Sequence, residues 1–236
     1  MNINPGKLYL IPTPIGNSAR KEIPEYNIEI LKSISVFIVE ELRTARRFLV
    51  TNNCKDLIET SVFHIYNEHS DKQSFAELLK PIYKGQNIGI LSEAGLPCIA
   101  DPGEEIVLEA HLMNIQIVPL VGPSSIFLAL MASGLNGESF KFHGYLPIEK
   151  NEKERSISNI SSDILKTKTS HIFIEAPYRN DKMLESILKS CHNDLHLCIA
   201  ANIMNDNQYI KTKSIRDWKK TKVELHKIPT IFIIGY

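Results

Sequence analysis

The sequence predicts an α/β protein of two domains, the first built around a mainly parallel sheet. Short apolar runs, each the length of a buried strand, alternate along the chain with stretches of helical periodicity. This alternation favours parallel strands joined by crossover helices that cover both faces of the sheet. A segment with two prolines and a glycine, residues 119–123, separates two such series. We therefore expect domains of residues 1–119 and 120–236.

Each predicted strand is a short apolar run, and each predicted helix has apolar residues three and four positions apart. In the first domain the strands are residues 7–11, 36–39, 62–65, 87–91 and 116–120, and the helices are residues 27–33, 44–51, 72–83 and 104–113. In the second domain the strands are residues 140–143, 171–175, 197–201, 208–213 and 229–234, and the helices are residues 124–132, 152–165 and 180–190.

Charge and cysteine content exclude several classes of protein. Basic and acidic residues number 27 each among 236, so no global field attracts nucleic acid or an anionic membrane, and any RNA contact needs a local patch. We find no apolar run of membrane-spanning length and expect no signal peptide. The four cysteines have neither CxxC spacing nor a disulfide framework, and we expect a reduced, cytoplasmic protein of enzyme size.

Residues 91–103 form the most informative loop, because they connect an apolar strand to a predicted helix. Small ligands bind at this end of strands in open α/β sheets. Gly95 and Gly103 allow close backbone approach or positive φ, and Pro97 and Pro102 stiffen the loop. An ordinary strand–helix connection is the alternative interpretation.

Three further loops lie at predicted strand ends, at residues 11–17, 121–125 and 173–179. The first occupies the position of a phosphate-binding turn but has neither G-x-G-x-x-G nor G-x-x-x-x-G-K-[ST]. Singly, each loop is compatible with a purely structural role. Their order along the chain is more informative than any one of them.

Seven motifs occur in a fixed order: residues 8–17 (LYLIPTPIGN), 40–43 (EELR), 92–97 (SEAGLP), 100–103 (ADPG), 122–124 (GPS), 142–147 (FHGYLP) and 175–179 (EAPYR). This series resembles the tetrapyrrole-methylase-like (class III) S-adenosylmethionine methyltransferases. Within that family it most resembles the branch of ribosomal small-subunit methyltransferases that 2′-O-methylate a cytidine of 16S rRNA.

The resemblance implies two α/β domains, with a mainly parallel N-terminal sheet and a mixed C-terminal sheet. It also implies that S-adenosylmethionine lies in the cleft between them, usually in a homodimer, with S-adenosylhomocysteine as product and no metal. Adenine needs apolar walls and the amino-acid end needs polar groups. The implied donor contacts are Pro14, Ile15, Gly16, Ser92, Glu93, Ala94, Gly95, Leu96, Pro97, Ile99, Ser124, Ser125, Tyr178, Pro229 and Thr230.

Five charged residues in these motifs are candidates for the chemistry. Glu41, Glu93 and Asp101 are placed to act on the proton of a ribose hydroxyl, or else to cap a helix or pair with an arginine. Arg43 and Arg179 suit bidentate contact with a phosphate or carboxylate, or else form a salt bridge. We take Glu41, Arg43, Asp101 and Arg179 as the predicted catalytic set.

The chain departs from the family pattern at several positions. Glu93 replaces an aspartate, Leu42 a threonine and Val121 a proline, and the Arg-Glu-Leu-Thr-Lys motif is replaced by AANIM at residues 200–204. Three functions therefore stay open: an RNA ribose methyltransferase, a tetrapyrrole C-methyltransferase, and a non-catalytic protein that binds the donor or RNA. Residues 12–17 lack the G-x-G-P-G-D turn of the tetrapyrrole enzymes, which favours RNA, with ribosomal RNA or the small subunit as partner and no membrane.

Three other features have alternative interpretations. Asn17 either orients substrate or closes a turn. His192 and His196 are four residues apart but lack the glutamate of H-E-x-x-H, so a metal site is disfavoured. Residues 211–222 carry six basic residues and one acid, and either form an RNA-facing patch with Trp218 as a stacking surface or a solvated helix with Trp218 packed inward.

Overall fold

The computed structural model describes residues 4–16, 19–67 and 75–236, and the chain divides into two compact units. The first unit is Met1–Ser124 and the second is Ser125–Tyr236. The role predicted for Asn17 and the start of the helix predicted from residue 72 lie outside the described residues.

The described part of the first unit contains one sheet of five strands: β1 (Leu8–Ile11), β2 (Ile34–Val39), β3 (Val62–Ile65), β4 (Asn87–Leu91) and β5 (Ile117–Pro119). The strand order is β3-β2-β4-β1-β5, and every pairing is parallel. The predicted parallel sheet is therefore confirmed, and its strands all end at the same edge.

Helices connect these strands: α1 (Glu25–Leu31), α2 (Leu42–Thr51), α3 (Leu57–Thr60), α4 (Phe75–Leu79) and α5 (Glu104–Leu112). The helix predicted over residues 72–83 is α4 followed by a 3-10 turn, Lys80–Lys84. Pro81, at the start of that turn, lacks the amide that a continuing α-helix would use, and Gly85 ends the turn with φ +83°.

Strand residues in the first unit alternate between two apolar clusters, one on each face of the sheet. Phe37 packs with Leu49 of α2, whereas Ile88 packs with Ile106 of α5. This two-residue alternation places α1 and α2 against one face and α4 and α5 against the other. Helices therefore bury both faces of the sheet, and the loops that follow the strands lie at its carboxyl edge.

The second unit contains a mixed sheet: β6 (Phe140–Tyr145), β7 (Ser170–Ile174), β8 (His196–Ala201), β9 (Tyr209–Ser214) and β10 (Thr230–Gly235). Its order is β6-β7-β10-β8-β9, and β6 and β7 pair in parallel while the other pairings are antiparallel. The helices are α6 (Ser125–Ser133), α7 (Lys150–Thr167), α8 (Asn180–Ser190) and α9 (Ile215–Trp218). The predicted mixed sheet is confirmed.

Trp218 was predicted either to offer a stacking surface to RNA or to pack inward, and the structure shows that it packs inward. It is 1% exposed, and its indole Nε1 donates to the Leu197 carbonyl at 2.8 Å. The ring therefore closes the core of the second unit beneath β8 and is no stacking surface for RNA. The surrounding residues form β9, where a strand was predicted at residues 208–213, and α9, which is the only helical part of the segment among the described residues.

Across residues 4–16, 19–67 and 75–236, no helix combines the length and the apolar character needed to cross a membrane.

Candidate active site

The loops after β1, β2, β4 and β5 all leave the same edge of the first sheet, because these four strands are parallel neighbours. The described parts of these loops are residues 12–16, 40–41, 92–103 and 120–124. Ligands bind outside this edge in open α/β sheets. The fold therefore gathers the predicted contacts of the first unit at one place.

The loops after β1 and β4 are joined by a two-residue antiparallel bridge. The Thr13 amide donates to the Gly95 carbonyl at 2.9 Å, and the Gly95 amide donates back to the Thr13 carbonyl at 3.1 Å. Gly95 has φ +82°, and a Cβ there would lie 3.2 Å from the Ile15 side chain and 3.4 Å from the Pro123 carbonyl oxygen. Glycine is needed at this position for its conformation and for the close approach of three loops.

The loop after β5 also packs against the loop after β1. A Cβ at Gly122 would lie 2.2 Å from the ring of Pro12, so only glycine allows these two loops to touch. The Asn27 side chain in α1 donates to the Val121 carbonyl at 2.8 Å. Ser124 ends the first unit and Ser125 is the first residue of α6 in the second.

A cavity of about 350 Å³ opens between the bridged loops and α2. Four predicted donor contacts line it: Pro14, Gly16, Ser92 and Glu93. The other lining residues are Thr13, Thr44, Arg47, Phe48, Thr51 and Leu91. Its volume lies in the range of about 300–1,000 Å³ that is typical of small-molecule sites.

Two buried hydroxyl groups in the cavity wall have no hydrogen-bond partner among the described residues. Thr13 and Ser92 are 3% and 2% exposed, and Oγ1 of the first and Oγ of the second are both unpaired. A buried polar group without a partner costs about 1–3 kcal/mol. A polar ligand group would remove that cost, so these walls fit the amino-acid end of S-adenosylmethionine.

Glu22 contacts the first loop from the 3-10 turn Ala19–Glu22. Its carboxylate accepts from the Ile15 amide at 2.8 Å and from the Gly16 amide at 3.1 Å. These two amides would otherwise form an anion-binding pair at the carboxyl edge of the sheet. Because Glu22 accepts from both amides, neither is free to bind a phosphate.

Three carboxylates, those of Glu41, Glu93 and Asp101, lie near one another in the loops at the carboxyl edge of the first sheet. Glu93 Oε1 accepts from the Glu41 amide at 3.2 Å, and the Thr44 hydroxyl donates to Glu41 Oε2 at 2.8 Å. Burial raises the pKa of Glu93, the hydrogen bond from the Glu41 amide opposes this rise, and the negative charges of Glu41 and Asp101 add to it. A carboxylate with a raised pKa is suited to accept a proton from a substrate.

The remainder of the β4 loop has an unusual backbone. Cys98 and Ala100 have φ of 64° and 56°, and Gly103 has φ of 129° at the start of α5. Burial, together with the charges of Asp101 and Glu104, raises the pKa of the Cys98 thiol to about 11, so it is neutral and not a nucleophile. Strained backbone of this kind concentrates at functional sites.

Five predicted donor contacts in the β4 loop do not line the cavity. Pro97 and Gly95 are buried, whereas Ala94 and Ile99 are exposed and Leu96 is half-buried. Ile15 packs against the position of the Gly95 Cβ instead. Gly95 does not line the cavity but is bridged to Thr13, which does.

Helix α2 presents three exposed arginines beside these loops, at positions 43, 46 and 47. Arg43 and Arg46 line a second cavity of about 570 Å³ with Glu40 and Glu41, whereas Arg47 lines the first cavity. None of the three forms an ion pair with a described residue. Guanidinium groups so placed are suited to bind phosphates.

In the second unit, Arg179 is engaged by a buried carboxylate. Its Nε and Nη2 donate to Glu175 Oε1 at 2.8 and 2.5 Å, and its Nη1 donates to the Tyr178 hydroxyl at 3.1 Å. The Glu175 side chain is fully buried and also meets Lys153 Nζ at 3.4 Å. The hydrogen bonds that Arg179 donates to Glu175 raise the pKa of Arg179. The salt-bridge interpretation of Arg179 is the one the structure shows.

Tyr178 and the segment of Pro229 and Thr230 are neighbours in the second unit. The Lys227 amide donates to the Pro177 carbonyl at 2.9 Å, and the Asn180 side chain donates to the Ile228 carbonyl at 2.7 Å. The Tyr178 ring is 60% exposed, which leaves it available for contact.

Among the described residues, no group of three or more histidine, cysteine, aspartate and glutamate side chains is placed to hold a metal ion. His192 is exposed at the end of α8, where its Nδ1 lies 3.8 Å from Asp194 Oδ2, and His196 belongs to β8.

Sequence reasoning missed Glu22 and the cavity face of α2. The signal for α2 was present, because Thr44, Arg47 and Thr51 recur at spacings of three and four in a helix that starts directly after β2. No sequence pattern marked Glu22, since its partners are backbone amides.

Comparison with known proteins identifies the family and the fold. A family profile described as Tetrapyrrole (Corrin/Porphyrin) Methylases matches residues 7–218. The crystal structure of the methyltransferase CobJ has a TM-score of 0.63 with this chain at 16% identity, covering 98% of this chain and 94% of the other. At that identity the similarity shows a shared fold.

Three curated relatives are named Ribosomal RNA small subunit methyltransferase I. They come from Buchnera aphidicola subsp. Schizaphis graminum (29% identical), Vibrio cholerae (31%) and Bacillus subtilis (34%). The alignments cover 97%, 83% and 77% of this chain but 78%, 64% and 59% of the relatives, so the chain spans only part of their length.

The family predicted from the ordered motifs is confirmed by these matches. With the profile covering most of its length, the chain belongs to the tetrapyrrole methylases, a family of S-adenosylmethionine-dependent methyltransferases.

Proposed function

We propose that this chain transfers a methyl group from S-adenosylmethionine to a ribose 2′-hydroxyl of small-subunit (16S) ribosomal RNA. The observation that carries the proposal is the cavity at the carboxyl edge of the first sheet, with the unpaired hydroxyls of Thr13 and Ser92 in its wall and the carboxylate of Glu93 at its side. The names of the relatives support RNA as the acceptor.

In this proposal, domains of residues 1–119 and 120–236 hold the donor between them. The first contributes the bridged loops, and the second contributes Ser125, Tyr178, Pro229 and Thr230. We further propose a homodimer that works in the cytoplasm. Arg179 acts here by orienting Tyr178, since Glu175 already occupies its guanidinium group.

The bound donor supplies a methyl group that its sulfonium has already activated. The chain therefore has to align the ribose oxygen with that methyl and exclude water. As the oxygen–carbon bond forms and the carbon–sulfur bond breaks, the hydroxyl proton passes to a carboxylate of the Glu41, Glu93 and Asp101 group. Arg43 and its neighbours on α2 hold the RNA phosphates.

The test is methyl transfer to small ribosomal subunits from a strain that lacks the gene. Donor binding is measured first, by calorimetric titration of the purified protein with S-adenosylhomocysteine. Isotope-labelled S-adenosylmethionine is then supplied with the subunits, and mass spectrometry of nuclease fragments locates the methyl group. We expect one labelled nucleotide, with the label on the ribose.

Other outcomes select the other functions. Donor binding with no transfer to RNA, and no transfer to a porphyrinoid substrate, would identify a non-catalytic protein. Transfer to a porphyrinoid carbon in place of RNA would identify a tetrapyrrole methylase.

A further inference from the structure

A hydrogen-bonded array of three side chains lies in the second unit and takes no part in the chemistry described above. His171 Nε2 lies 2.9 Å from Asp163 Oδ2, and His171 Nδ1 lies 2.8 Å from His143 Nε2. The array therefore links α7, β7 and β6. His171 is 2% exposed, whereas the Asp163 side chain is 47% exposed.

The partners fix the proton on each ring. A carboxylate accepts, so His171 Nε2 carries the proton and its Nδ1 accepts from His143 Nε2. Burial lowers the pKa of both rings, that of His143 to about 4, which keeps them neutral. His143 Nδ1 is then a bare acceptor, and it has no hydrogen-bond partner in the part of the chain that the structure describes.

A cavity of about 420 Å³ lies over this array. Lys141, His143 and Tyr145 line it from β6, and Asn159 and Asp163 line it from α7. The Tyr145 ring is 60% exposed. The cavity therefore combines a flat aromatic surface, a cation and two acceptors, one of them a ring nitrogen with a fixed tautomer.

This combination selects one kind of ligand. The acceptors of His143 and Asp163 require a ligand that donates, and Lys141 requires one that is also anionic. A metal ion does not satisfy these groups, because the two rings point their nitrogens at each other rather than at a common centre. A nucleotide with an amino group on its base supplies a donor, a phosphate and a stacking surface together.

We propose that this cavity binds one unpaired nucleotide of the RNA substrate, with a base that carries an exocyclic amino group. The base stacks on Tyr145, its amino group donates to His143 Nδ1 and to the free oxygen of Asp163, and its phosphate meets Lys141. This inference rests on the proposed RNA methylation and specifies how the second unit reads the acceptor.

The experiment titrates the full chain with cytidine 5′-monophosphate and, in parallel, uridine 5′-monophosphate, and follows the imidazole nitrogens by NMR. Tyr145→Leu removes the stacking ring, and His143→Phe keeps a ring but removes the acceptor. The matched controls are Tyr209→Leu and His196→Phe, which lie on β9 and β8, away from the β6 edge of the same sheet.

We expect cytidine monophosphate to bind more tightly than uridine monophosphate and to shift His143 Nδ1. Tyr145→Leu should weaken its binding about 5- to 150-fold, the loss expected for one base–aromatic stack. Both controls should bind as the wild type does. If His143→Phe does not fold, Tyr145→Leu and the preference between the two nucleotides decide the question.

Methyl transfer to small subunits is measured on the same variants, which separates this inference from the proposed function. Two results together would overturn the nucleotide site alone. The wild type would methylate RNA without binding cytidine monophosphate, and Tyr145→Leu would leave the KM for subunits unchanged. Equal affinity for the two nucleotides would overturn it too. A protein that binds cytidine monophosphate as expected but methylates no RNA would support the nucleotide site and contradict the proposed function.

Discussion

Thr13 and Gly95 exchange both of their backbone hydrogen bonds, at 2.9 and 3.1 Å, and so join the loops after β1 and β4. The bridge is antiparallel, whereas β1 and β4 pair in parallel within the sheet, and Thr13 and Ser92 beside it belong to the cavity wall. The cavity therefore depends on a glycine that does not line it.

Gly95→Ala tests that dependence. The added Cβ forces an alanine into φ +82° and against Ile15, so we expect a loss of about 1–2 kcal/mol in the free energy of unfolding. S-adenosylhomocysteine affinity should fall at least about tenfold, since the loops must separate. Gly134→Ala is the matched control, because Gly134 has φ +72° with nothing within 4 Å of its Cβ position. It should lose stability but keep donor affinity; equal affinity losses in both variants would contradict the role of the bridge.

Glu93→Gln tests the carboxylate group. If Glu93 accepts the ribose proton, kcat should fall about 10²-fold or more. The wild-type rate should rise with pH through a pKa above the usual value of 4.5, because burial raises the pKa of Glu93 and only its ionised form accepts a proton.

This acidic limb should disappear in Glu93→Gln and persist in Glu59→Gln, an exposed position on α3. An unchanged pH profile in Glu93→Gln would assign the proton to Glu41 or Asp101 instead.

Local patterns in the sequence were enough to predict the sheets and the order of the loops. The run at residues 87–91 becomes β4 without change, because an apolar segment of that length is buried on both faces of a parallel sheet. The described part of the helix predicted over residues 72–83 differs only at its end, because Pro81 lacks the amide that a continuing α-helix needs.

The candidate site was only partly predictable, since its contacts depend on loops brought together from distant parts of the chain. Pro14, Ser92 and Glu93 follow from strand ends that share one edge. Glu22 could not be predicted, because its partners are backbone amides and these carry no sequence signal. For Arg179 the sequence left a salt bridge open, and its partner Glu175 lies buried four residues before it.

Glu175→Gln tests the buried ion-pair network of the second unit. The change leaves Lys153, which is 6% exposed, without its carboxylate, so we expect a loss of about 3 kcal/mol in the free energy of unfolding. Glu154→Gln is the matched control, since Glu154 pairs with the exposed Lys189 at 2.7 Å. An exposed pair contributes little to stability, so this variant should lose much less than Glu175→Gln. Urea denaturation measures both variants, and equal losses would show that Glu175 is solvated.

The His143–His171 array should make stability depend on pH between about 4 and 6.5. Burial, the neighbouring ring and Lys141 lower the pKa of His143 to about 4, and Asp163 opposes them, while the ordinary value of 6.5 holds in the unfolded chain. The unfolded chain therefore binds more protons in this interval, and the free energy of unfolding falls as the pH falls through it. Above pH 6.5 this contribution is fully present. Urea denaturation of the wild type, His143→Phe and His196→Phe at pH 4.5 to 7.5 measures the slope, which should be smaller in His143→Phe alone; parallel curves for all three would show that His143 is protonated as readily in the folded as in the unfolded chain.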